Sequence, residues 1–351
     1  MKALIAMSGG VDSSVAALLM KDHDRIGCTM RLFDGEDYNN GLESACCSLD
    51  DVEDARAVCS RMGIPHYTFN FKDDFEEKII KKFVASYRCG RTPNPCIDCN
   101  RYLKFDRLYD RARELGCDVI VTGHYARIEE KDGKYYLKKA ADPSKDQSYV
   151  LYSLTQEQLS HTRFPLGELS KDEVRRIAEE NGFVNADKPD SQDICFVPDG
   201  DYAGFIERYN GAVEAGDFLT TDGKVLGKHK GIIHYTIGQR KHLGISVGAP
   251  IYVVGINATE NTVVLGDESH LFKTTAIVDD FNWIAGEAPA EPIRCKAKTR
   301  YRQKEQPATA TVNANGTVTL VFDEPIRAIT PGQAAVLYDG EIVLGGGVIV
   351  G

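Results

Sequence analysis

Residues 8–14 read Ser-Gly-Gly-Val-Asp-Ser-Ser and follow the apolar run Leu4-Ile5-Ala6-Met7. This order predicts a strand, a glycine turn and a helix that starts at Val11. Gly9 and Gly10 let the backbone approach an anion. Ser8, Ser13 and Ser14 offer hydroxyl donors. The unpaired N–H groups of the first helical turn point at the same place. The chemistry is phosphate binding. No Lys follows the glycines, so this is not the GxxxxGK[ST] loop; nor is it the GxGxxG dinucleotide turn.

A second group is built on sulfur. Residues 91–101 read Arg-Thr-Pro-Asn-Pro-Cys-Ile-Asp-Cys-Asn-Arg. Pro93 and Pro95 predict an extended loop, in which Asp98 points away from its neighbours. Cys96 and Cys99 form a CxxC pair, and a distant Cys195 lies in the polar stretch Asp190–Phe196. A lone CxxC also suits half a zinc site or two small buried residues. There is no second CxxC and no spaced His pair to complete a zinc site. The chain has 10 cysteines and starts on a strand, with no export signal. That predicts reduced thiols, redox chemistry or metal rather than structural disulfides. The remaining cysteines, Cys46 and Cys47 among them, read as packing residues.

Two basic stretches stand out against a net charge of −10, which argues against a broadly basic nucleic-acid coat. Arg294, Lys296, Lys298, Arg300, Arg302 and Lys304 alternate with no acid between them. One strand over them would put all six on one face, suited to phosphates. Lys224–Thr259 carries Lys224, Lys228, Lys230, Arg240 and Lys241 and no acidic residue. It reads as a second surface for a nucleic-acid backbone.

The elements that must position these groups follow from periodicity. Strand-like runs at Leu4–Met7, Ile26–Leu32, His66–Phe71 and Cys117–Thr122 alternate with helical spacing from Val11, over Leu49–Met62, Phe75–Tyr87 and Lys104–Leu115. This is the rhythm of an α/β, doubly wound parallel sheet, whose ligands bind at the carboxyl ends of the strands. Beyond a helix at Asp201–Tyr209 the texture turns to short strands with glycine turns. From about residue 274 it suggests a closed β-barrel. The expected division is 1–199, 200–271 (a small α+β or β unit) and 272–351. At 351 residues the chain is long enough for two or three cores. No run is long enough to span a membrane.

Seven ordered motifs make the chain resemble the tRNA-specific 2-thiouridylase family over essentially its full length. They are SGGVDSS at 8–14, MRLF at 30–33, GRTPNPCIDCN at 90–100, TGHYAR at 122–127, KDQSY at 145–149, DSQDICF at 190–196 and YTIGQRKHLGI at 235–245. The glycine turn resembles that of the wider ATP pyrophosphatase (PP-loop) superfamily. The resemblance implies ATP held by Ala6, Met7, Ser8, Gly9, Gly10, Val11, Asp12 and Ser13, with Met30 and Gly123. Cleavage would fall between the α and β phosphates, with Asp12 near a magnesium ion on the pyrophosphate. The wobble uridine would be adenylated and its carbonyl oxygen replaced by sulfur. Cys195 would hold a persulfide and Cys99 would be the second catalytic thiol. Asn94, Pro95 and Cys96 would contact the base once it leaves the stack. His124, Lys145, Asp146, Gln147, Arg300, Tyr301 and Gln333 fall at positions that touch tRNA, with His124 and Tyr301 as stacking rings. The implied partners are glutamate, glutamine and lysine tRNAs and a sulfur donor, which is a cysteine desulfurase, a relay protein or free sulfide. The implied compartment is the cytoplasm.

One position departs from the family pattern. Many members carry Asp, a proton-transfer group, where this chain has Cys96. Together Cys96, Cys99 and Cys195 would supply three thiolates, enough to hold a 4Fe–4S cluster with one iron open to sulfide. The sequence leaves the cluster and persulfide routes both open. Competing readings are a PP-loop tRNA 2-thiocytidine enzyme, an amide-forming synthetase on small molecules, and a non-catalytic RNA-binding protein of translation.

Overall fold

The computed structural model describes residues 1–33, 49–188, 194–245 and 248–351. Cys46, Cys47 and residues 189–193 lie outside them. The chain opens with β1 (Lys2–Ala6), α1 (Val11–Leu19), β2 (Asp24–Arg31), α2 (Leu49–Arg61) and β3 (His66–Asn70). Helix α3, over 72–88, joins Lys72–Phe75, a π-helical Glu76–Ile80 and Lys81–Arg88. Helix α4, over 95–114, joins Pro95–Asp98, a π-helical Cys99–Arg107 and Leu108–Glu114. Then come β4 (Val119–Val121), the hairpin β5 (Ala126–Lys131) and β6 (Lys134–Lys139), α5 (Gln156–Ser160), β7 (Thr162–Arg163) and α6 (Lys171–Glu180). Capping boxes start α5 (Thr155 with Gln158) and α6 (Ser170 with Glu173).

The first sheet runs β3-β2-β1-β4-β7 with every pairing parallel. Its order reverses between β1 and β4, which leaves a crevice at their carboxyl ends. Alternation along β1 sends Leu4 into one core cluster and Ala3 and Ile5 into another. Both faces are therefore covered, as a parallel sheet requires. The doubly wound expectation holds.

Helix α7 (Tyr202–Asn210) leads into a four-stranded sheet of β8 (Gly216–Thr220), β9 (Val225–His229), β10 (Tyr252–Asn257) and β11 (Thr262–Gly266), ordered β10-β11-β8-β9. Phe83 of α3 meets Phe196 and Phe205 edge-on, at 5.2 and 6.1 Å between ring centres. Through these rings the core of the second sheet runs into one face of the first.

Six antiparallel strands follow: β12 (Phe272–Trp283), β13 (Ile293–Lys298), β14 (Gln306–Val312), β15 (Val318–Arg327), β16 (Ala334–Asp339) and β17 (Ile342–Ile349). They run β12-β15-β14-β13-β16-β17, and β12 pairs with β17 to close a barrel. The hairpin β5–β6 attaches to it where Lys138 faces Ile342.

Two local expectations are corrected. The stretch Arg294–Lys304 is not one strand, because β13 ends at Lys298. The Gln303 side chain accepts from Thr299 N and Oγ1 at 3.1 and 2.6 Å and turns the chain there. Arg294, Lys296 and Lys298 alternate with inward Cys295 and Ala297, but Arg294 pairs with Asp323 at 2.7 Å. Arg300 turns inward. Its Nη2 donates to Ile237 O (3.0 Å), Ala328 O (3.1 Å) and Thr330 Oγ1 (2.6 Å). The second correction concerns residues 95–98, which are helical rather than extended.

Arg300 thus joins the second sheet's connection to the barrel. Burial, and then Arg327, lower its pKa, so the charge is held at a cost that three acceptors offset. Arg300→Met is expected to reduce unfolding free energy by about 2 kcal/mol, read as an earlier urea midpoint. An unchanged midpoint would contradict this role.

Candidate active site

The glycine turn sits where the sheet order reverses. Met7 N donates to Cys28 O at 2.7 Å and extends β1 to the turn. Gly9 has φ +74°, and a Cβ there would lie 2.8 Å from Asp51 Cα. Only glycine fits both conditions. Gly10 is the N-cap of α1, and among the described residues no side chain caps that turn. Its N–H groups stay available to an anion. The serines divide their work. Ser13 Oγ accepts from Ser8 N (3.2 Å) and donates to Gly10 O (3.0 Å), while Ser14 Oγ donates to Gly10 O (3.1 Å). Ser13 and Ser14 are buried and lock the turn, which leaves Ser8 as the exposed hydroxyl.

The end of β4 packs on the same turn. A Cβ at Gly123 would come within 2.8 Å of Ser13 N. Asp12 Oδ1 accepts from Tyr125 OH and Lys171 Nζ, each at 2.7 Å. Ala6 and Met30, at the ends of β1 and β2, are half-buried, and Met7 and Val11 are buried.

The cysteine pair starts a helix. Asn94 is the N-cap, its Oδ1 accepting from Cys96 N at 3.2 Å, and Pro95 takes the first helical position, where its missing N–H costs nothing. Helix α4 runs back toward the start of β4, and near its own start Asn100 Nδ2 donates to Val150 O at 2.9 Å, next to the segment that Gln147 fastens to Tyr125 beyond the carboxyl end of β4. Cys96 and Cys99 are three apart and share a helix face. The π-helical stretch begins at Cys99, a distortion often found at functional sites. Asp98 points away from them and pairs with Lys82 at 2.6 Å. Burial raises its pKa, and Lys82 opposes the rise.

Burial sorts the thiols. Cys28, Cys59, Cys117 and Cys295 are buried. Burial pushes Cys59 and Cys295 up to about 11 and raises Cys28 and Cys117 as well. They are packing residues, poor as thiolates. Cys96 is exposed, and Cys99 and Cys195 are half-buried. Cys195 precedes Phe196, whose ring is fixed against Phe75, Phe83 and Phe205. Among the described residues no three Cys, His, Asp or Glu gather closely enough to hold a metal ion.

The expected RNA contacts divide in the same way. His124 is buried, bonded through Nδ1 to Thr122 Oγ1 (2.7 Å), with its ring against Phe105 and Phe164. It is not an exposed stacking ring, because the aromatic core has enclosed it. Tyr301 is 38% exposed, leans on Tyr149 and donates to Asp146 O at 3.3 Å. Asp146 Oδ1 accepts from Ala140 N and Ser148 N, and Gln147 Oε1 from Tyr125 N. Gln333 Nε2 donates to Thr92 O at 2.8 Å. Lys145 is half-buried. In the other basic stretch Lys224, Lys230, Arg240 and Lys241 are exposed, while Lys228 pairs with Asp217 at 2.8 Å.

Four residues that no motif marks stand at the glycine turn: Asp51, Lys171, Asn185 and Lys188. Asn185 Nδ2 donates to Gly9 O (2.9 Å) and Ser14 Oγ (3.0 Å), and Lys188 Nζ pairs with Asp51 (2.6 Å). The one sequence signal is the capping box at Ser170, which puts Lys171 at the first position of α6.

Burial, then Lys104, lowers the pKa of His124 well below the ordinary imidazole value. Between the folded and unfolded pKa values the unfolded chain binds the extra proton. The stability from neutral His124 is thus complete above about pH 6.5 and is lost as pH falls. His124→Asn is expected to lose less stability than the wild type between about pH 7 and pH 5. Parallel losses in unfolding midpoint would refute this.

Family models match three stretches: the tRNA methyl transferase HUP domain over residues 1–199, the tRNA methyl transferase PRC-barrel domain over 203–267 and the aminomethyltransferase beta-barrel domain over 273–349. Among curated relatives, the tRNA-specific 2-thiouridylase MnmA of Clostridioides difficile is 52% identical, over 99% of this chain and 98% of its own. The proteins of the same name from Acetivibrio thermocellus and Clostridium botulinum are 51% and 50% identical, over 99% of this chain and 99% and 97% of theirs. With the glycine turn and the cysteine helix intact on this scaffold, the chain belongs to the tRNA-specific 2-thiouridylase family.

Proposed function

We propose that this chain is a tRNA 2-thiouridylase, which uses ATP to replace the carbonyl oxygen of a wobble uridine by sulfur. The observation that carries the reading is that a phosphate-type turn and a CxxC helix start lie on the same carboxyl edge of one sheet. Near-complete coverage of relatives about half identical supports it.

The nucleotide phosphates rest on Ser8, Gly9, Gly10, Val11, Asp12 and Ser13. Ala6, Met7, Met30 and Gly123 line the nucleoside. Magnesium accompanies the triphosphate as part of the substrate, and Asp12 stands near it with one oxygen engaged by Tyr125 and Lys171. The uridine oxygen attacks the α-phosphorus and pyrophosphate leaves. A persulfide on Cys195 then attacks the activated ring carbon, and AMP leaves with the former carbonyl oxygen. Cys99 attacks the Cys195 sulfur and frees the thiolated base, and an external dithiol reduces the resulting disulfide. Asn94, Pro95 and Cys96 meet the extruded base, and Tyr301 supplies a stacking ring. The persulfide route uses two of the three thiols, Cys99 and Cys195, and needs no 4Fe–4S cluster. The sulfur reaches Cys195 from a cysteine desulfurase, directly or through a relay protein. The acceptors are glutamate, glutamine and lysine tRNAs. The work divides among 1–199 for catalysis and 200–271 and 272–351 for tRNA contact. The proposed compartment is the cytoplasm, and among the described residues no helix is long and apolar enough to cross a membrane.

Unmodified glutamate tRNA incubated with the chain, ATP, magnesium, cysteine and a desulfurase is expected to yield 2-thiouridine by nucleoside mass spectrometry. Cys195→Ser and Cys99→Ser are expected to reduce it to background while tRNA-dependent pyrophosphate release persists. No 2-thiouridine from the wild type with either desulfurase or free sulfide would sink the assignment. Lys296→Ala is expected to weaken tRNA binding for all sequences alike and to lower the slope of log affinity against log salt by about 1.

A further inference from the structure

The glycine turn carries no basic side chain of its own within residues 8–14, yet a triphosphate is strongly anionic. The fold brings a lysine to it from far along the chain. Lys188 Nζ stands 3.4 Å from Gly9 O, and it pairs with Asp51 Oδ1 at 2.6 Å and Asp54 Oδ2 at 2.8 Å, near the start of α2. The close approach of Asp51 to Gly9 presses α2 and the turn into one unit. Asn185 fastens the 185–188 segment to the same turn. It is 3% exposed, and its Oδ1 is buried with no partner among the described residues. Lys171, the other lysine at the loop, is engaged by Asp12.

The donor count is informative. An ammonium has three N–H donors. Two are held in short bonds by carboxylates, and the third makes the long contact to Gly9 O, at the outer limit of a hydrogen bond. The Lys188 side chain is 32% exposed. We propose that Lys188 is the phosphate-binding cation of this site. Its third N–H turns from Gly9 O to a β- or γ-phosphate oxygen of bound ATP, while Asp51 and Asp54 hold the ammonium over the turn. The proposal rests on the reading of Ser8–Ser13 as the ATP loop.

The test is equilibrium binding of ATP and AMP to the full chain, with Lys188→Met, Lys188→Arg and Gly9→Val compared with the wild type. Lys188→Met is expected to weaken ATP binding roughly ten- to hundredfold and to leave AMP affinity unchanged, because AMP lacks the outer phosphates. Lys188→Arg is expected to recover most of the loss. Equal losses for ATP and AMP would make Lys188 a scaffold residue and overturn the proposal, as would no loss for either. Gly9→Val that binds ATP like the wild type would refute the loop assignment itself, and the proposal with it.

Discussion

The arrangement depends on how residues 90–94 are held. A Cβ on Gly90 would strike Ile256 Cγ2 at 2.7 Å, so the second sheet presses on one side. Thr92 N donates to Pro331 O (2.9 Å), Thr92 O accepts from Gln333 (2.8 Å), and the Thr92 hydroxyl donates to Thr236 Oγ1 (3.3 Å). All three parts of the chain therefore touch the segment that delivers Asn94 and Pro95 to the start of α4. Once that start is fixed, Ile97 packs into a cluster with Tyr149, Tyr152 and barrel residues such as Val336. The direction of Cys96 and Cys99 follows. The barrel and the second sheet thus help to aim the thiols.

A second regularity is the way charge is balanced around the glycine turn and the CxxC helix. Asp12 is met by Lys171, Asp98 by Lys82, and Arg101 by Asp280 of the barrel. These pairs keep ionised groups at the edge of the core, where an unpaired charge would be costly. Four cysteines are separated from Cys96, Cys99 and Cys195 by the same physics. Burial disfavours their thiolates, so that four of the chain's sulfurs are chemically quiet.

Much of this was legible in the residues alone. The strand, turn and helix at 2–19 follow from an apolar run, two glycines and a helical pattern, all local. The parallel sheet, the later β-rich texture and the closed barrel follow from periodicity. The family resemblance rests on ordered motifs that need no coordinates. Where local rules were read too simply, the chain departed from expectation. Pro95 reads as a loop residue until Asn94 is recognised as a cap, and then it is a helix start.

The sequence by itself determined the element types and the identity of the chemistry-bearing side chains, because these depend on neighbours within a few positions. Only the tertiary structure decided which of them face the site. Arg300 alternates with its basic neighbours in sequence, yet it turns inward because three oxygens from distant segments meet it there. His124 looks available in its motif, yet Phe105 and Phe164 enclose it. Lys188 carries no motif, yet it stands on Gly9. In each case the deciding partner lies tens to hundreds of residues away, and only the folded chain brings it within hydrogen-bond or ring-packing distance.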